Sequence, residues 1–133
     1  MNDAPNNAPT LDHVGLQVRD FARAKEFYSA ALQPLGIKLQ MEFPTENGGV
    51  AGFGRCKPEF WIAAGSSPTS PFHIAFHAAN RAEVDAFYKA ALAAGAKDNG
   101  APGLRPQYHP DSYGAFVLDP DEHSIEAVCH RLE

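Results

Sequence analysis

Two histidines and one glutamate occupy positions that could hold a metal ion. His13 and His73 lie sixty residues apart, at corresponding places in two similar segments, and Glu126 lies near the end of the chain. In HSIEAVC, Ile125 and Ala127 point to one face of a strand and Glu126 to the other, where a carboxylate among apolar residues needs a cation or a hydrogen-bonding partner. Two imidazoles and one carboxylate with open coordination positions suit a divalent ion such as Fe(II), Mn(II), Ni(II), Co(II) or Zn(II). The chemistry that this set predicts is activation of a substrate at a divalent metal.

The elements that must position these residues repeat along the chain. The first copy reads HVGLQVRDFARAKEFYSAAL from His13, and the second reads HIAFHAANRAEVDAFYKAAL from His73. Each copy begins as an alternating strand with its histidine on the polar face and continues as a helix with apolar residues at helical spacing. Asp20 is predicted to cap the first helix, and Asn80 with Glu83 to begin the second. Two copies of one strand-helix unit that share a core would place the two histidines at pseudo-equivalent sites.

Shorter strands are predicted after each helix. The pattern indicates strands at residues 49–54 and 59–64 in the first half and at residues 113–118 and 124–129 in the second. Residues 100–112, with the sequence GAPGLRPQYHPDS, are predicted to form the one long loop. Both halves therefore read β-α-β-β-(β), which indicates an α+β fold.

Length and composition limit the function classes. The chain has 133 residues, a size typical of one domain that buries a sufficient core without disulfides or a structural metal. Its two cysteines form no CxxC pair, and its net charge of -5 comes without a basic cluster. We therefore expect a reduced, cytoplasmic protein that does not bind nucleic acid. No apolar run approaches the roughly 20 residues of a membrane span, so no membrane association is expected, and residues 1–10 are expected to form a disordered tail.

The chain resembles the vicinal oxygen chelate superfamily, which contains glyoxalase I, extradiol dioxygenases, fosfomycin-modifying thiol transferases and bleomycin-binding resistance proteins. The similarity rests on LDHVGLQVRD, FHIAFHA and the terminal FVLDPD with IEAV. It implies a single glyoxalase-like domain over residues 11–130. In that domain two βαβββ modules, about residues 11–66 and 71–130, would form a curved mixed sheet around a central cavity for metal and substrate.

The metal ligands that the resemblance implies are His13, His73 and Glu126, and two other positions depart from the family pattern. Glyoxalase I has a fourth protein ligand, a carboxylate at the end of its first module. Alignment of FWIAA with IEAVC places Trp61 opposite Glu126, and an indole has no lone pair to give a metal. The site is then open to two or more substrate or water ligands, which favours chelation through adjacent oxygens over a literal lactoylglutathione lyase. Glu122 stands where relatives usually carry glycine, which predicts an altered or mildly strained turn.

Several other side chains are candidates for substrate binding or catalysis. Trp61 supplies a flat apolar wall for the substrate or only fills the core of the first module. Arg105 and Tyr108 lie in the predicted loop, where an arginine can bind a carboxylate or phosphonate and is otherwise solvated. Tyr113 could donate to a developing enolate or phenolate. His77 lies on the strand face of the second histidine, as a proton carrier or an ordinary residue of the site edge.

The residues together predict a metal-dependent enzyme that acts on a small molecule. Gln17 shares the strand face of the first histidine and is a further substrate-binding candidate, while Glu126 is both a ligand and a catalytic group. The reaction would be that of a dioxygenase, thiol transferase or lyase, with the metal as Lewis acid and template. The alternatives are a non-catalytic ligand-binding protein of the bleomycin-resistance type and a glyoxalase-like domain with a vestigial site. A single pair of modules exposes sheet edge and half a site, so we predict a two-fold homodimer.

Overall fold

The computed structural model describes residues 11–65, 72–107, 110–131 and 133, and in these ranges the chain forms two modules with the same order of elements. The first module contains β1 (Val14–Val18), α1 (Phe21–Ala31), a 3-10 helix (Gln33–Leu35), β2 (Lys38–Phe43), β3 (Val50–Gly54) and β4 (Phe60–Ala64). The second contains β5 (His73–His77), α2 (Arg81–Ala93), β6 (Lys97–Leu104), β7 (Tyr113–Leu118) and β8 (Ser124–Cys129). The predicted repeat of a strand, a helix and three further strands is confirmed.

Each module builds one mixed sheet of four strands. The strand orders are β1-β4-β3-β2 and β5-β8-β7-β6, so the first strand of each module lies at the edge of its sheet beside the last. β1 runs parallel to β4 and β5 parallel to β8, whereas the other neighbours are antiparallel. The α+β fold class is therefore confirmed, and the terminal strand of each module lies next to the strand on which its histidine was predicted.

The helices begin at the predicted capping residues. Asp20 Oδ1 accepts a hydrogen bond of 3.1 Å from the backbone N–H of Arg23 at the start of α1. Asn80 Oδ1 accepts one of 2.9 Å from the backbone N–H of Glu83, and Glu83 Oε1 accepts one of 2.9 Å from that of Ala79. These contacts satisfy N–H groups that have no partner within a helix. They fix where each strand ends and the helix that covers its sheet begins.

The alternation along the strands separates a buried face from a face that is free for the site. Leu16 and Ile62 in the first sheet and Ile125 and Ala127 in the second are each at most 3% exposed. The two modules share this core, because the rings of Phe60 and Phe76 lie 5.2 Å apart in an edge-to-face contact. Apolar burial of this kind stabilises the two sheets as one unit.

A buried hydrogen bond also joins the modules. The hydroxyl of Tyr28 on α1 donates to Asp119 Oδ2, at the turn between β7 and β8. Asp119 Oδ1 in turn accepts hydrogen bonds of 2.8 Å from the backbone N–H groups of Asp121 and His123. Burial raises the pKa of Tyr28 well above its ordinary value of 10.0, and the charge of Asp119 adds to this effect. The carboxylate therefore connects the first helix to the last hairpin.

In each module, the strand directly after the helix had no predicted residue range. β2 lies at the outer edge of its sheet, and its alternation is broken by a register shift between Leu39 and Met41. β6 covers the first part of the segment that was predicted as a loop, and it contains Gly100 and Gly103, which have low strand propensity. Pairing with β7 nevertheless holds β6 as a strand through two register shifts. The predicted tail over residues 1–10 lies outside the described residues.

The turn after β7 has the strain that was predicted. Glu122 has a φ of 68°, in the left-handed region that favours glycine. Its backbone N–H donates a 2.9 Å hydrogen bond to the carbonyl of Asp119, and its side chain lies 3.7 Å from Lys97 Nζ. The turn thus holds a glutamate in a conformation that non-glycine residues rarely adopt.

Candidate functional site

His73 and Glu126 contact each other across two neighbouring strands. The register of β5 and β8 places His73 opposite Ser124 and Ala75 opposite Glu126, all on the face away from the core. His73 Nε2 lies 3.1 Å from Glu126 Oε1, and His73 Nδ1 lies 2.9 Å from Ser124 Oγ. Gly114 on β7 leaves space for the carboxylate, because a Cβ at that position would lie 3.3 Å from Glu126 Oε2. The pair is therefore held by the sheet itself.

Glu126 is the more enclosed member of this pair. Its side chain is 12% exposed, compared with 51% for His73. Burial raises the pKa of Glu126 above its ordinary value, while the charges of His73 and Arg105 act in the opposite direction. An imidazole nitrogen and a partly buried carboxylate oxygen this close together are donors that suit a first-row divalent ion. The two residues thus fit two of the three positions of the predicted metal site.

His73 and Glu126 open into a cavity of about 770 Å³, a volume within the usual range for small-molecule sites. Its other walls are formed by Ala75, Asn99, Gly100, Arg105, Gln107, Ser112, Phe116, Ser124, Val128 and His130. The charged and titratable groups on these walls are one carboxylate, one guanidinium and two imidazoles. A small molecule in this cavity would therefore meet apolar side chains such as Phe116 as well as the charged groups of Glu126 and Arg105.

His13 lies in the other module, directly before β1. Its Nδ1 is 2.7 Å from Asp12 Oδ1, and its side chain is 59% exposed. Hydrogen bonding to His13 lowers the pKa of Asp12, which keeps the carboxylate charged. In metal-ligating histidines a carboxylate often holds the second ring nitrogen in this way. Among the described residues of one chain, however, no group of three or more His, Cys, Asp or Glu side chains could hold a metal. His13 therefore does not join His73 and Glu126 within a single chain.

Trp61 and Gln17 lie on the free face of the first sheet. β1 and β4 pair Gly15 with Trp61 and Gln17 with Ala63, so both side chains point away from the core. The indole of Trp61 covers Gly52, because a Cβ on that glycine would lie 2.9 Å from two atoms of the ring. Trp61 is half-buried and does not fill the core of the first module, which excludes that alternative. Its predicted role as a substrate wall stays a prediction, as does the role of Gln17.

Tyr113 does not face the cavity, which corrects its predicted place in the catalytic site. β7 pairs Tyr113 with Cys129, whose side chain is fully buried on the helix side of the sheet. The Tyr113 hydroxyl donates a 2.7 Å hydrogen bond to Asp85 of α2, and this bond raises the pKa of Tyr113. Because strand residues alternate between faces, Phe116 and not Tyr113 points towards Glu126.

His77 and Arg105 occupy different cavities. His77 shares the strand face of His73, as predicted, but it lines a separate cavity of about 230 Å³ near Arg55 and Phe60. Its backbone carbonyl accepts a 2.7 Å hydrogen bond from Arg55 Nη2. Arg105 lies directly after β6 and lines the larger cavity with Glu126, as a substrate-binding residue would. Tyr108, its predicted neighbour in substrate binding, lies outside the described residues.

Comparison with known proteins identifies the family. The model of the Glyoxalase/Bleomycin resistance protein/Dioxygenase superfamily matches residues 10–127. The chain belongs to this superfamily. The resemblance seen in the strand motifs is therefore confirmed, although no curated protein matches the sequence.

Solved structures of the superfamily have the same fold. A glyoxalase/bleomycin resistance protein from Albidiferax ferrireducens T118 is 25% identical, with a TM-score of 0.74 over 92% of this chain and 100% of that one. A superfamily enzyme from Burkholderia phytofirmans PsJN is 19% identical, with a TM-score of 0.69 over 90% and 98% of the two chains. A variant of the fosfomycin resistance protein FosX from Listeria monocytogenes is 22% identical, with a TM-score of 0.68 over 92% and 91%. That FosX structure contains Mn(II) and 1S,2S-dihydroxypropylphosphonic acid.

Three residues around the site of this superfamily member were missed as candidates. Asp12 precedes His13, and Ser124 lies two positions before Glu126, so sequence spacing could have indicated both as partners of the metal ligands. Phe116 follows from the alternation of β7 once Gly114 is placed beside Glu126.

Within the described ranges no helix is long and apolar enough to cross a membrane.

Proposed function

We propose that this superfamily member is a metal-dependent enzyme for a small-molecule substrate, and that His13 of a second copy completes its metal site. The observation that carries the proposal is the pair of His73 Nε2 and Glu126 Oε1, 3.1 Å apart on the wall of the cavity. Neither group has another function in the fold, since both lie on the sheet face opposite the core. A carboxylate placed there against the cost of burial is typical of a ligand.

A second copy is favoured by the two edge strands. β1 and β5 are each the edge strand of their own sheet, and both His13 and His73 are exposed. Unpaired strand edges are sites for association with another chain. If β1 of one copy lies beside β5 of another, His13 comes near His73 and Glu126, and a two-fold axis makes two identical sites. The proposal therefore includes a homodimer. We also propose that the protein acts in the cytoplasm.

The residues around the pair would each have a defined role. A divalent ion held by His13, His73 and Glu126 would supply Lewis-acid activation of a substrate with two adjacent oxygens. Ser124 holds the second ring nitrogen of His73 and so fixes the orientation of the imidazole. Glu126, whose pKa is raised by burial, could also accept a proton from the substrate.

A second function is favoured by the free face of the first sheet. Met41 and Phe43 are 42% and 45% exposed, and the register places them on the same face as Trp61. Together these side chains form an apolar surface that could hold a ligand without a metal. The bleomycin-resistance type of protein, which binds and does not react, would use such a surface. Metal binding separates the two functions.

A heterodimer tests the enzyme proposal most directly. One chain carries His13→Ala and the other Glu126→Gln, and the mixed dimer is isolated after co-expression with two different tags. If each site takes ligands from both chains, one of the two sites in the mixed dimer contains only native ligands. We expect the heterodimer to bind about half the Mn(II) of the parent, and each homodimeric variant to bind little.

The parent and both homodimeric variants are the controls for this measurement. Metal content is determined by elemental analysis and the mass of the assembly by light scattering. A heterodimer that binds no more metal than the two homodimers would rule out the shared site. A parent protein that binds no metal after reconstitution, or that stays monomeric at micromolar concentration, would favour the apolar ligand-binding function.

A further inference from the structure

Arg105 is held in a fixed position on the cavity wall. Its Nη2 donates a 2.6 Å hydrogen bond to the carbonyl of Ala101, and its Nη1 donates a 3.3 Å bond to that of Leu104. The guanidinium carbon lies 5.5 Å from the centre of the Phe116 ring. A guanidinium that is stacked on a ring and bonded to backbone loses little further freedom when it binds a ligand.

Two glycines provide the space for this guanidinium. A Cβ on Gly103 would lie 3.0 Å from Arg105 Nη1, and a Cβ on Gly100 would lie 3.4 Å from Nη2. Gly100 has a φ of 148°, which L-residues rarely adopt, and its N–H donates to Asp98 Oδ1. The strand before Arg105 is therefore shaped so that the arginine can lie back along it. Both glycines weaken β6 as a strand. The space that the Arg105 guanidinium needs explains why residues without a side chain stand at these two positions.

The charge of Arg105 is not neutralised by an ion pair within the described part of the chain. A guanidinium has five N–H groups, and two of those of Arg105 bond to backbone. Phe116 contacts both functional groups of the cavity, since its ring also stacks on His73 with a centroid distance of 6.0 Å. The Phe116 ring therefore contacts both the guanidinium of Arg105 and the imidazole of the His73–Glu126 pair.

We propose that Arg105 binds an anionic group of the substrate, and that the substrate is a small acid. Its carboxylate or phosphonate would bind two N–H groups of Arg105 in parallel, a few bonds from the pair of neighbouring oxygens at the metal. That the substrate also binds a metal rests on the proposed function, whereas binding of its anionic group depends only on Arg105 and its surroundings. A substrate without an acidic group would leave Arg105 without an anion at ion-pair distance among the groups that the structure describes.

Anion binding is best measured on the metal-free full-length protein. Benzoate and phenylphosphonate are the two anionic probes, and uncharged benzamide has a similar ring without the charge. Titration is followed by ¹H–¹⁵N NMR, with the Arg105 Nε–H signal as the direct readout. We expect saturable shifts of this signal with at least one of the anions and not with benzamide, and the tighter anion identifies the acid class.

Three variants separate the position of the charge from the charge itself. Arg105→Gln should weaken anion binding by about tenfold or more, because two charge-assisted hydrogen bonds are lost. Gly103→Ala keeps the arginine but displaces its guanidinium, so a similar loss is expected. Arg23→Gln removes the same charge from the exposed surface of α1, outside this cavity, and should bind like the parent. Thermal unfolding of each variant shows whether it is folded.

Equal anion affinity of the parent and Arg105→Gln would overturn the proposal, and so would a lack of saturable shifts with both anions. Anion affinity of Gly103→Ala equal to that of the parent would show that the position of the Arg105 guanidinium beside Gly103 is not needed, and it would also overturn the proposal. Mn(II) binding is measured separately on the same preparations. Anion binding without metal binding would refute the proposed metalloenzyme and support the anion site at Arg105. Metal binding without anion binding would refute the anion site and leave the metalloenzyme proposal standing.

Discussion

Glu126 combines two properties that normally oppose each other. Its carboxylate is largely enclosed, yet His73 and the space left by Gly114 keep one oxygen close to an imidazole nitrogen. An enclosed carboxylate is destabilising when charged and unpaired, and a divalent cation removes that penalty. In the proposed metal site, a bound cation would therefore offset the cost of enclosing this carboxylate.

The first prediction concerns this charge. Glu126→Gln keeps the volume and removes the negative charge, so the affinity for Mn(II) should fall by about tenfold or more while the protein stays folded. Isothermal titration calorimetry gives the affinity and circular dichroism the fold. Glu122→Gln removes a carboxylate from the same hairpin without touching the cavity, and it should bind the metal like the parent. Unchanged affinity in Glu126→Gln would remove Glu126 from the ligand set.

At the scale of elements, the alternation of strand residues predicted which side chains of two strands face away from the core. The faces of β8 and β5 were correct, because an apolar residue at every second position marks the core side wherever one face is buried. The helix starts were correct, because Asp20 and Asn80 satisfy backbone N–H groups locally. These features depend on neighbours in sequence, and a single sequence contains them.

The elements that were missed depend on distant partners. β6 exists through its pairing with β7, although Gly100 and Gly103 predict a loop. The bounds of β7, which contains Tyr113, were predicted correctly. The Tyr113 hydroxyl, however, bonds to Asp85 of α2, and the spacing of residues along β7 does not reveal that contact. The described residues of one chain contain no three-ligand group, which depends on how the two sheets are placed, and no local pattern contains that information.

The second prediction concerns the turn between β7 and β8. Glu122→Gly should raise the free energy of unfolding by about 0.5–1 kcal/mol, because relief of the left-handed strain exceeds the added entropy of the unfolded chain. Urea unfolding of the parent and the variant measures the difference. Glu122→Gln keeps the strain and removes only the charge that faces Lys97, so its stability should stay close to that of the parent. A loss of stability in Glu122→Gly would show that the turn is not strained.

At the scale of the whole molecule, Tyr28 and Asp119 connect two modules that otherwise meet through apolar side chains. The hydroxyl satisfies one oxygen of a buried carboxylate whose other oxygen is bonded to backbone. Removal of the hydroxyl leaves the first oxygen without its donor and out of reach of water. One hydrogen bond therefore contributes to the relative position of the first helix and the last hairpin, which carries Glu126.

The third prediction follows from this contact. Tyr28→Phe should lower the free energy of unfolding at pH 7 by about 1–3 kcal/mol, the usual effect of leaving a buried polar group unsatisfied. The pKa of Tyr28 is raised in the folded state, so the folded protein keeps this proton to higher pH than the unfolded chain. The stabilising contribution is therefore complete below pH 10.0, the ordinary tyrosine pKa, and decreases as the pH rises above it.

The difference between the parent and Tyr28→Phe should consequently narrow in alkaline solution. Urea unfolding of both proteins from pH 7 to pH 11 measures it, and the other titrating groups cancel in the comparison. A difference that is constant or grows over this range would contradict a neutral, hydrogen-bonded Tyr28 in the folded state.

The position of Trp61 has a practical consequence. It is the one tryptophan of the chain, and its half-buried indole covers Gly52 on the free face of the first sheet, where a second copy or a ligand would change its surroundings. Its emission wavelength and intensity therefore report on that face without a label and without contributions from other indoles. Association of the proposed dimer, or occupation of the apolar surface by a ligand, would each be detectable in the native protein through its own fluorescence.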